Sequence, residues 1–431
     1  MRIRVYTLTL GVAIIAAPVL AEAQTPPPPA PVHDHQQMMM MAGAPLGITP
    51  ARIGSGTSWL PDESPLSGAS RMAGAWHLMV HGNVFVQFIS GSGPRGDQQF
   101  GSINWLMGMA ERPLGGGVLT TRLMLSAEPA TVSRCGYPNL TQTGELCRGE
   151  PLHDRQHPHD LFMEVAADYR RAINDDVAWQ IYGGPAGEPA LGPVAFPHRW
   201  SAMSIPIAPI SHHWLDSTHI SFGVVTGAIY GRAWKAEASA FNGREPDDER
   251  YDFDLAALDS YSGRVWWLPS PRWAVQFSAG RLREVEASHD EDASETKRVT
   301  ASVTYHRQVG QRLTAVTAAW GQNRESHGVT NAWLGEAAID MSDRDRVSLR
   351  GEITGKTSEE LVLDDHGHGH GDEVHTIGKI QAGYARQLGA WRTWKFSAGA
   401  TVGVSIVPEA IASAYGRRTP AEIAVFFAVR P

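Results

Sequence analysis

The sequence has no long hydrophobic run beyond its first residues. After residue 23, no stretch of eighteen apolar residues occurs in the 431-residue chain, which excludes a spanning helix there. The start is typical of a secretory signal, because Arg2 and Arg4 precede an apolar stretch at 8–20 and a small-x-small cleavage site at 21–23. We expect residues 1–23 to be a signal peptide and the mature chain to be exported.

Cysteine and net charge are also scarce. The chain has two cysteines, Cys135 and Cys147, and no Cys-x-x-Cys redox spacing. Because an exported protein meets an oxidising compartment, we expect a Cys135–Cys147 disulfide that stabilises a short loop by about 3 kcal/mol. The formal net charge of -8 is modest and argues against a nucleic-acid partner.

The chain is rich in two-residue alternation. Val299, Ala301, Val303 and Tyr305 alternate with Thr300, Ser302, Thr304 and His306, so one strand face is apolar and the other polar. Sixteen such segments lie near 77–90, 99–110, 117–127, 161–172, 177–183, 219–229, 234–242, 260–268, 273–283, 298–307, 312–321, 331–341, 346–355, 376–386, 393–405 and 421–430. They predict an all-β, antiparallel transmembrane barrel of about sixteen strands (14–16) over residues 76–431.

The lengths of the connections favour a membrane barrel over a soluble sandwich. Short connections alternate without a break with long ones, near 91–98, 128–160, 184–218, 243–259, 284–297, 322–330, 356–375 and 406–420. Outer-membrane barrels have short periplasmic turns and long extracellular loops. We therefore expect a place in the bacterial outer membrane, in contact with its lipid. Residues 24–75, rich in Pro, His and Met, would form an irregular periplasmic extension, with Trp59 docking onto or plugging the barrel.

The polar strand faces carry charges of both signs. The expected lumen residues are Arg122, Glu164, Asp168, Arg170, Lys235, Glu237, Arg264, Glu336, Asp340, Arg346, Arg350, Glu352, Lys379 and Lys395. Buried without partners, each charge would cost several kcal/mol. The lumen is therefore either an aqueous pore or a space filled by ion pairs and an inward-folded loop, and the sequence leaves both open.

Histidine clusters are candidate sites for a divalent metal such as Cu, Zn or Ni. Two rim loops hold His157, His159 and Asp160, and His212, His213, Asp216 and His219; a third loop holds His366, His368 and His370; the extension holds His33 and His35 beside Met38–Met41. Imidazole and thioether together favour copper. The alternatives are hydrogen-bonded loops packed over the mouth, a solvated loop tip and a linker without a role. No other cofactor is indicated.

A catalytic alternative is a lipid hydrolase at the rim. If His219 and Ser221 lay on one strand they would point the same way, as a base and a nucleophile, and Glu237 could orient the base.

Five motifs resemble an uncharacterised family of bacterial exported barrel proteins. They are QTGE (142–145), QHPHDL (156–161), GEPALGP (187–193), HHWLDSTH (212–219) and FNGREPD (241–247). The resemblance implies a barrel and no known activity. The His/Met extension ahead of a barrel also looks like the plan of CopB-type copper-resistance proteins, although their long Met and His repeats are missing here.

These features together predict a porin-like outer-membrane channel for small polar solutes. Divalent metal ions, copper first, are the leading specific solutes, and periplasmic metal-handling proteins would then be partners. The other hypotheses are the lipid hydrolase and a structural or adhesion barrel with a closed lumen.

Overall fold

The computed structural model describes residues 44–66, 68–283, 295–326, 328–363 and 373–431, and for Glu145 the backbone only. The signal peptide, His33, His35 and the loop histidines at 366, 368 and 370 lie outside these residues. Among the described residues, no helix is long and apolar enough to cross a membrane.

Strands dominate the described chain. In chain order they are β1 (Ala69–Ala73), β2 (Trp76–Gly91), β3 (Gln98–Leu114), β4 (Gly117–Leu125), β5 (Tyr137–Cys147), β6 (Glu150–Gln156), β7 (Phe162–Ala172), β8 (Ala178–Ala186), β9 (Val224–Tyr230), β10 (Trp234–Phe241), β11 (Ser260–Ser270), β12 (Trp273–Arg283), β13 (Glu295–Val309), β14 (Arg312–Glu325), β15 (Gly328–Asp340), β16 (Asp345–Thr357), β17 (Val374–Trp391), β18 (Trp394–Ile406) and β19 (Ala421–Arg430). Three one-turn helices are α1 (Glu128–Thr131), α2 (His212–Leu215) and α3 (Ala412–Tyr415). Short 3-10 turns lie at Pro45–Gly47, Pro50–Arg52, Ser217–His219 and Glu409–Ile411.

Sixteen of these strands close into one antiparallel barrel. The ring runs β2, β3, β4, β7, β8, β9 and then β10 through β19, each strand paired with the next. It closes where β19 pairs with β2, from Glu422↔Gly91 to Val429↔Val84. Strand β1 pairs with the first residues of β2, next to this seam. The prediction of a sixteen-stranded antiparallel barrel is confirmed, and each predicted segment corresponds to a barrel strand.

The barrel wall is apolar outside and polar inside. On β11, Tyr261 is 56% exposed and Val265 49%, whereas Arg264 between them is 1% exposed. A soluble protein would bury the valine and expose the arginine. The alternation therefore turns the apolar side chains toward a lipid-like surrounding, and the interior takes the charges.

Two local predictions were wrong. The connection at 322–330 is not a long loop, because β14 and β15 continue to a tight hairpin in which Glu325 pairs with Gly328. Strand β9 begins at Val224 rather than at 219, because 217–219 form a 3-10 turn. Within the long connection at 128–160, β5 and β6 form a separate two-stranded sheet that the sequence pattern did not indicate.

Candidate functional site: the filled lumen

The polar inner wall is joined by ion pairs. Glu237 on β10 accepts from Arg264 Nε at 2.8 Å, and its other oxygen lies 3.0 Å from Lys235 Nζ. Ten predicted lumen charges are buried: Arg122, Glu164, Asp168, Lys235, Glu237, Arg264, Glu336, Arg350, Glu352 and Lys379. Arg170, Asp340 and Arg346 are half-buried, and Lys395, near one end of β18, is exposed. Lys395 has the same register on β18 as the buried Thr401 and Ser405, so its exposure reflects its place at the end of the strand.

A long connection crosses the lumen from wall to wall. It runs from 187 to 223 between β8 and β9, and most of its side chains are buried. Gly192 N donates to Ser278 Oγ on β12 at 2.9 Å, and Met203 O accepts from Asn83 Nδ2 on β2 at 3.0 Å. These two strands are eight apart in the ring of sixteen. We call residues 187–223 the plug, because a segment that touches opposite walls spans the space between them.

Arg199 is the main charged link between plug and wall. Its guanidinium lies 2.7 Å from Glu336 on β15 and 2.9 Å from Asp216 within the plug. Arg350 on β16 binds the other oxygen of Glu336 at 2.7 Å. Burial opposes ionisation of Asp216, but Arg199 and then His212 outweigh it and hold the pKa of Asp216 well below its usual range. The plug is therefore fixed by charge pairs sealed from water.

The described part of the N-terminal extension enters the barrel. Lys235 Nζ and Arg122 Nη1 donate to the carbonyls of Thr57 and Gly56, respectively. The Trp59 ring lies 4.9 Å from the guanidinium of Arg52 and packs against Tyr230. Docking of Trp59 is thus observed. The segment before the predicted boundary at 75/76 is thus in contact with the barrel, through these residues and through β1, which pairs with β2.

The β5–β6 hairpin is the third segment inside the barrel. Asn139 accepts from Lys379 Nζ at 2.6 Å, and Thr143 Oγ1 accepts from Lys356 Nζ at 2.9 Å. The predicted disulfide is present: Cys135 and Cys147 are bonded, with Cα atoms 5.5 Å apart. The disulfide joins Cys135, just before the hairpin, to Cys147 at the end of β5.

The plug and the α1 region bring three predicted histidines together. The ring centroids of His159 and His212 lie 5.3 and 5.1 Å from that of His219, and Phe196 packs against all three. Each Nδ1 has an acceptor: Glu128 Oε1 for His159 at 2.9 Å, Asp216 Oδ1 for His212 at 2.9 Å, and the Asp216 carbonyl for His219 at 2.8 Å. This leaves the Nε2 atoms as the positions where these rings could bind a ligand.

The other predicted rim ligands have partners of their own. His213 Nδ1 lies 3.3 Å from Glu245, Asp160 lies 3.4 Å from Arg250, and His157 Nδ1 lies 3.1 Å from the Pro158 carbonyl. Across the described ranges, the only three metal-ligating oxygens or nitrogens within 4.8 Å of one another belong to Asp247, Asp252 and Asp254. The rim histidines therefore form a packed hydrogen-bonded cluster in this conformation.

The predicted catalytic triad is not assembled. His219 lies in a 3-10 turn, and Ser221 Oγ donates to the Thr218 carbonyl at 3.2 Å rather than to an imidazole. Glu237 is bound to Arg264 and Lys235 in the wall. The common-strand argument was wrong because the strand begins only at Val224.

The motifs meet at one place. A cavity of about 20 Å³ is lined by residues of QHPHDL, HHWLDSTH and FNGREPD, including His157, His219 and Glu245. QTGE reaches the same region, where a Cβ on Gly144 would collide with the His213 ring and the positive φ of Gly144 also favours glycine. Glu188 of GEPALGP lies deeper, 3.6 Å from Arg264. Arg199, Glu188 and Glu128 were not predicted as parts of the site, because they lie in irregular segments or in a single helical turn, where no periodicity marks them.

Several solved structures of outer-membrane proteins are similar to this chain in fold. The anion-selective porin from Comamonas acidovorans matches with a TM-score of 0.50 and 12% identity, over 82% of this chain and 99% of the porin. The fold is that of an outer-membrane porin barrel. Salmonella typhi OmpF (TM-score 0.49, 11% identity, 84% and 100% covered) and the channel DcaP of Acinetobacter baumannii (0.49, 8%, 85% and 100%) are also similar. No protein-family model and no curated protein sequence matches the chain, so the motif resemblance stays a prediction.

Acid should loosen the plug. Burial lowers the pKa of His212 to about 4, although Asp216 opposes this, and burial with the neighbouring His212 and His159 lowers the pKa of His219. A released plug takes up these protons below pH 6.5, so the His212 ring should lower the stability of the closed plug by up to about 3 kcal/mol between pH 6.5 and pH 4, and His219 should act in the same direction. His159 has the opposite effect. Burial lowers the pKa of His159, but Glu128 raises it by more, so the net pKa is raised. The stability that this ring contributes is therefore lost as the pH rises.

Hydrogen exchange of residues 190–218, corrected for intrinsic rates, measures this opening at pH 7 and pH 5. His212→Asn keeps a donor for Asp216 and should weaken the pH dependence. Equal opening free energies at both pH values in the native protein would contradict the assignment.

Proposed function

We propose that the protein is an outer-membrane channel for small polar solutes that is closed by its plug in the conformation described. One observation carries this proposal: the plug meets the wall through hydrogen bonds and ion pairs such as Arg199–Glu336. A lumen closed permanently would gain stability from an apolar core, whereas buried ion pairs give little net stability. Water can solvate these same groups when the plug moves, so a polar seal suits a lumen that opens.

The place of action we propose is the bacterial outer membrane. The outward belt of exposed apolar side chains, among them Val265, Phe277 and Ile380, supports contact with lipid acyl chains. A wall with charges of both signs favours small polar solutes without strong selection by charge.

Recording in a planar bilayer tests the channel. We expect discrete current steps from the purified full-length protein, and more frequent steps from variants with a weakened plug. Silence from both would support the structural barrel with a closed lumen and overturn the channel.

We also propose that divalent metal ions are among the solutes that the rim histidines capture. The support is that His159, His212 and His219 have their Nδ1 atoms fixed, as metal-binding imidazoles commonly do. Binding would require a shift of the rings, since their nitrogens are too far apart here. Copper as cargo, the His33/His35 tail and periplasmic metal-handling partners belong to this same proposal.

Calorimetric titration with Zn²⁺ checks the rim site. Replacing a ligating ring, as in His219→Gln, should lower the affinity at least tenfold. His153→Gln is the control, because His153 is partly exposed and bound to Asp154. Identical titrations for both variants would remove the rim from the proposal.

A further inference from the structure

A second cluster of imidazoles and thioethers lies between the wall and the plug, apart from the rim. Strand β2 contributes alternate residues to its inner face, and β3 faces them in register, with Met79↔Met109 and His81↔Met107 as direct pairs. The plug adds one ring from the lumen side. We call this the His/Met cluster; its members are His77, Met79, His81, Met107, Met109 and His198.

The members of the cluster surround a common space. They line a cavity of about 90 Å³, which has room for a few water molecules. His81 Nε2 lies 3.0 Å from the Met107 sulfur, and the rings of His81 and His198 are 5.6 Å apart. The Trp105 ring packs against both imidazoles, with its centroid 5.3 Å from that of His81 and 4.5 Å from that of His198.

Ordinary packing does not account for the polar atoms in this cluster. Methionine fills core gaps well, but imidazole nitrogens need partners when they are buried. His77 Nε2 is buried and has no hydrogen-bond partner within the described residues. The contact of His81 Nε2 is to a thioether, which is only a weak acceptor.

The chemistry of the cluster selects a soft ion of low charge. Thioethers favour Cu(I), and imidazole accepts it as well. The neighbouring charges are already paired, Glu111 with Arg170 at 2.6 Å and Arg122 with Glu164 at 3.5 Å. Neutral ligands beside Arg122 suit a monovalent cation better than a divalent one, because the carboxylate that lines the cavity, Glu111, already offsets the charge of Arg170.

We propose that the His/Met cluster is a binding site for Cu(I), formed jointly by the barrel wall and the plug. Because His198 belongs to the plug, a bound ion links the plug to β2 and β3. The inference rests on the metal part of the proposed function and adds a soft monovalent ion to the divalent ions of the rim, but its test measures binding and does not depend on conductance.

The test is anaerobic titration of the full-length protein in detergent with Cu(I), competed by a chromophoric chelator, and with Ag(I) as a redox-inert substitute. The double variant M107L/M109L keeps the volume of the cluster and removes two sulfurs. We expect it to lose one equivalent of tightly bound ion, with an affinity at least tenfold weaker. Met124→Leu is the matched control, since Met124 is buried opposite Met107 but does not line the cavity.

Two further readouts keep the proposal testable if the double variant folds poorly. His198→Gln changes only the plug, and we expect the same loss of one equivalent. Ag(I) should also slow hydrogen exchange of residues 194–202 in the native protein and not in His198→Gln. Unchanged stoichiometry and affinity in both variants would overturn the site, and so would equally tight binding of Zn²⁺ there. Loss of Zn²⁺ at the rim alone leaves this site unaffected.

Discussion

Removal of residues 190–218 should convert a closed barrel into a conducting one. The deletion keeps the bridge in which Gly187 and Ser221 exchange backbone hydrogen bonds at 3.0 and 2.8 Å, so a short Gly/Ser linker can join its ends. The sixteen barrel strands keep all their neighbours, because the plug lies within one connection. Water should then solvate the wall charges that the plug had covered.

Planar-bilayer recording measures the outcome. We expect frequent current steps from the deletion variant and few from the intact protein. The steps should be smaller than an empty sixteen-stranded barrel would give, since residues 44–66 and the β5–β6 hairpin still occupy part of the lumen. A deletion of the largely exposed rim residues 251–257 serves as the control and should leave the current unchanged. A folded plugless barrel that never conducts would contradict the proposed function.

Arg199→Ala should release the plug without deleting it. The substitution removes the arginine that the buried carboxylates of Asp216 and Glu336 share, which leaves Glu336 with Arg350 and Asp216 with His212. Breaking a buried pair from one side costs about 3–5 kcal/mol, because the remaining charge is not compensated. We expect faster hydrogen exchange across residues 190–218 and more frequent current steps, with the barrel strands as protected as before.

The matched control for this arginine is Arg232→Ala. Arg232 lies 3.0 Å from Asp176, but both side chains are mostly exposed, so water and salt screen the pair. We expect no measurable change in plug exchange from this variant. If Arg199→Ala behaved like Arg232→Ala, the plug would be held by its apolar contacts and the charge link would have no role.

Much of the fold could be predicted because barrel strands carry a strong local signal. Each strand separates lipid from lumen, so every second side chain is apolar, as on β11 with Tyr261, Val265 and Trp267 outside. The tight hairpin in which Glu325 pairs with Gly328 was missed because β14 and β15 extend beyond their strictly alternating parts. The β5–β6 hairpin was missed because it lies inside the barrel and neither of its faces meets lipid. Apolar and polar side chains therefore do not alternate along it.

The candidate site was predictable in composition but not in arrangement. His159, His212 and His219 were among the predicted ligands, since histidines cluster in their two loops and both loops end on one rim. Their Nδ1 acceptors could not be foreseen, because Glu128 and the Asp216 carbonyl are brought to them by irregular backbone. The hydrolase hypothesis failed for the same reason, as a 3-10 turn redirected His219 away from Ser221.

The sequence by itself determined the number of strands, the side of each strand that meets the lumen, and the Cys135–Cys147 pair, because these follow from neighbours along the chain and from the paucity of cysteine. Only the tertiary structure decided whether the lumen is empty. Arg199 and Glu336 are 137 residues apart, and no local pattern records that one crosses the barrel to meet the other. Which loop folds inward depends on charges that lie far apart in sequence and become neighbours only when the ring of strands has closed.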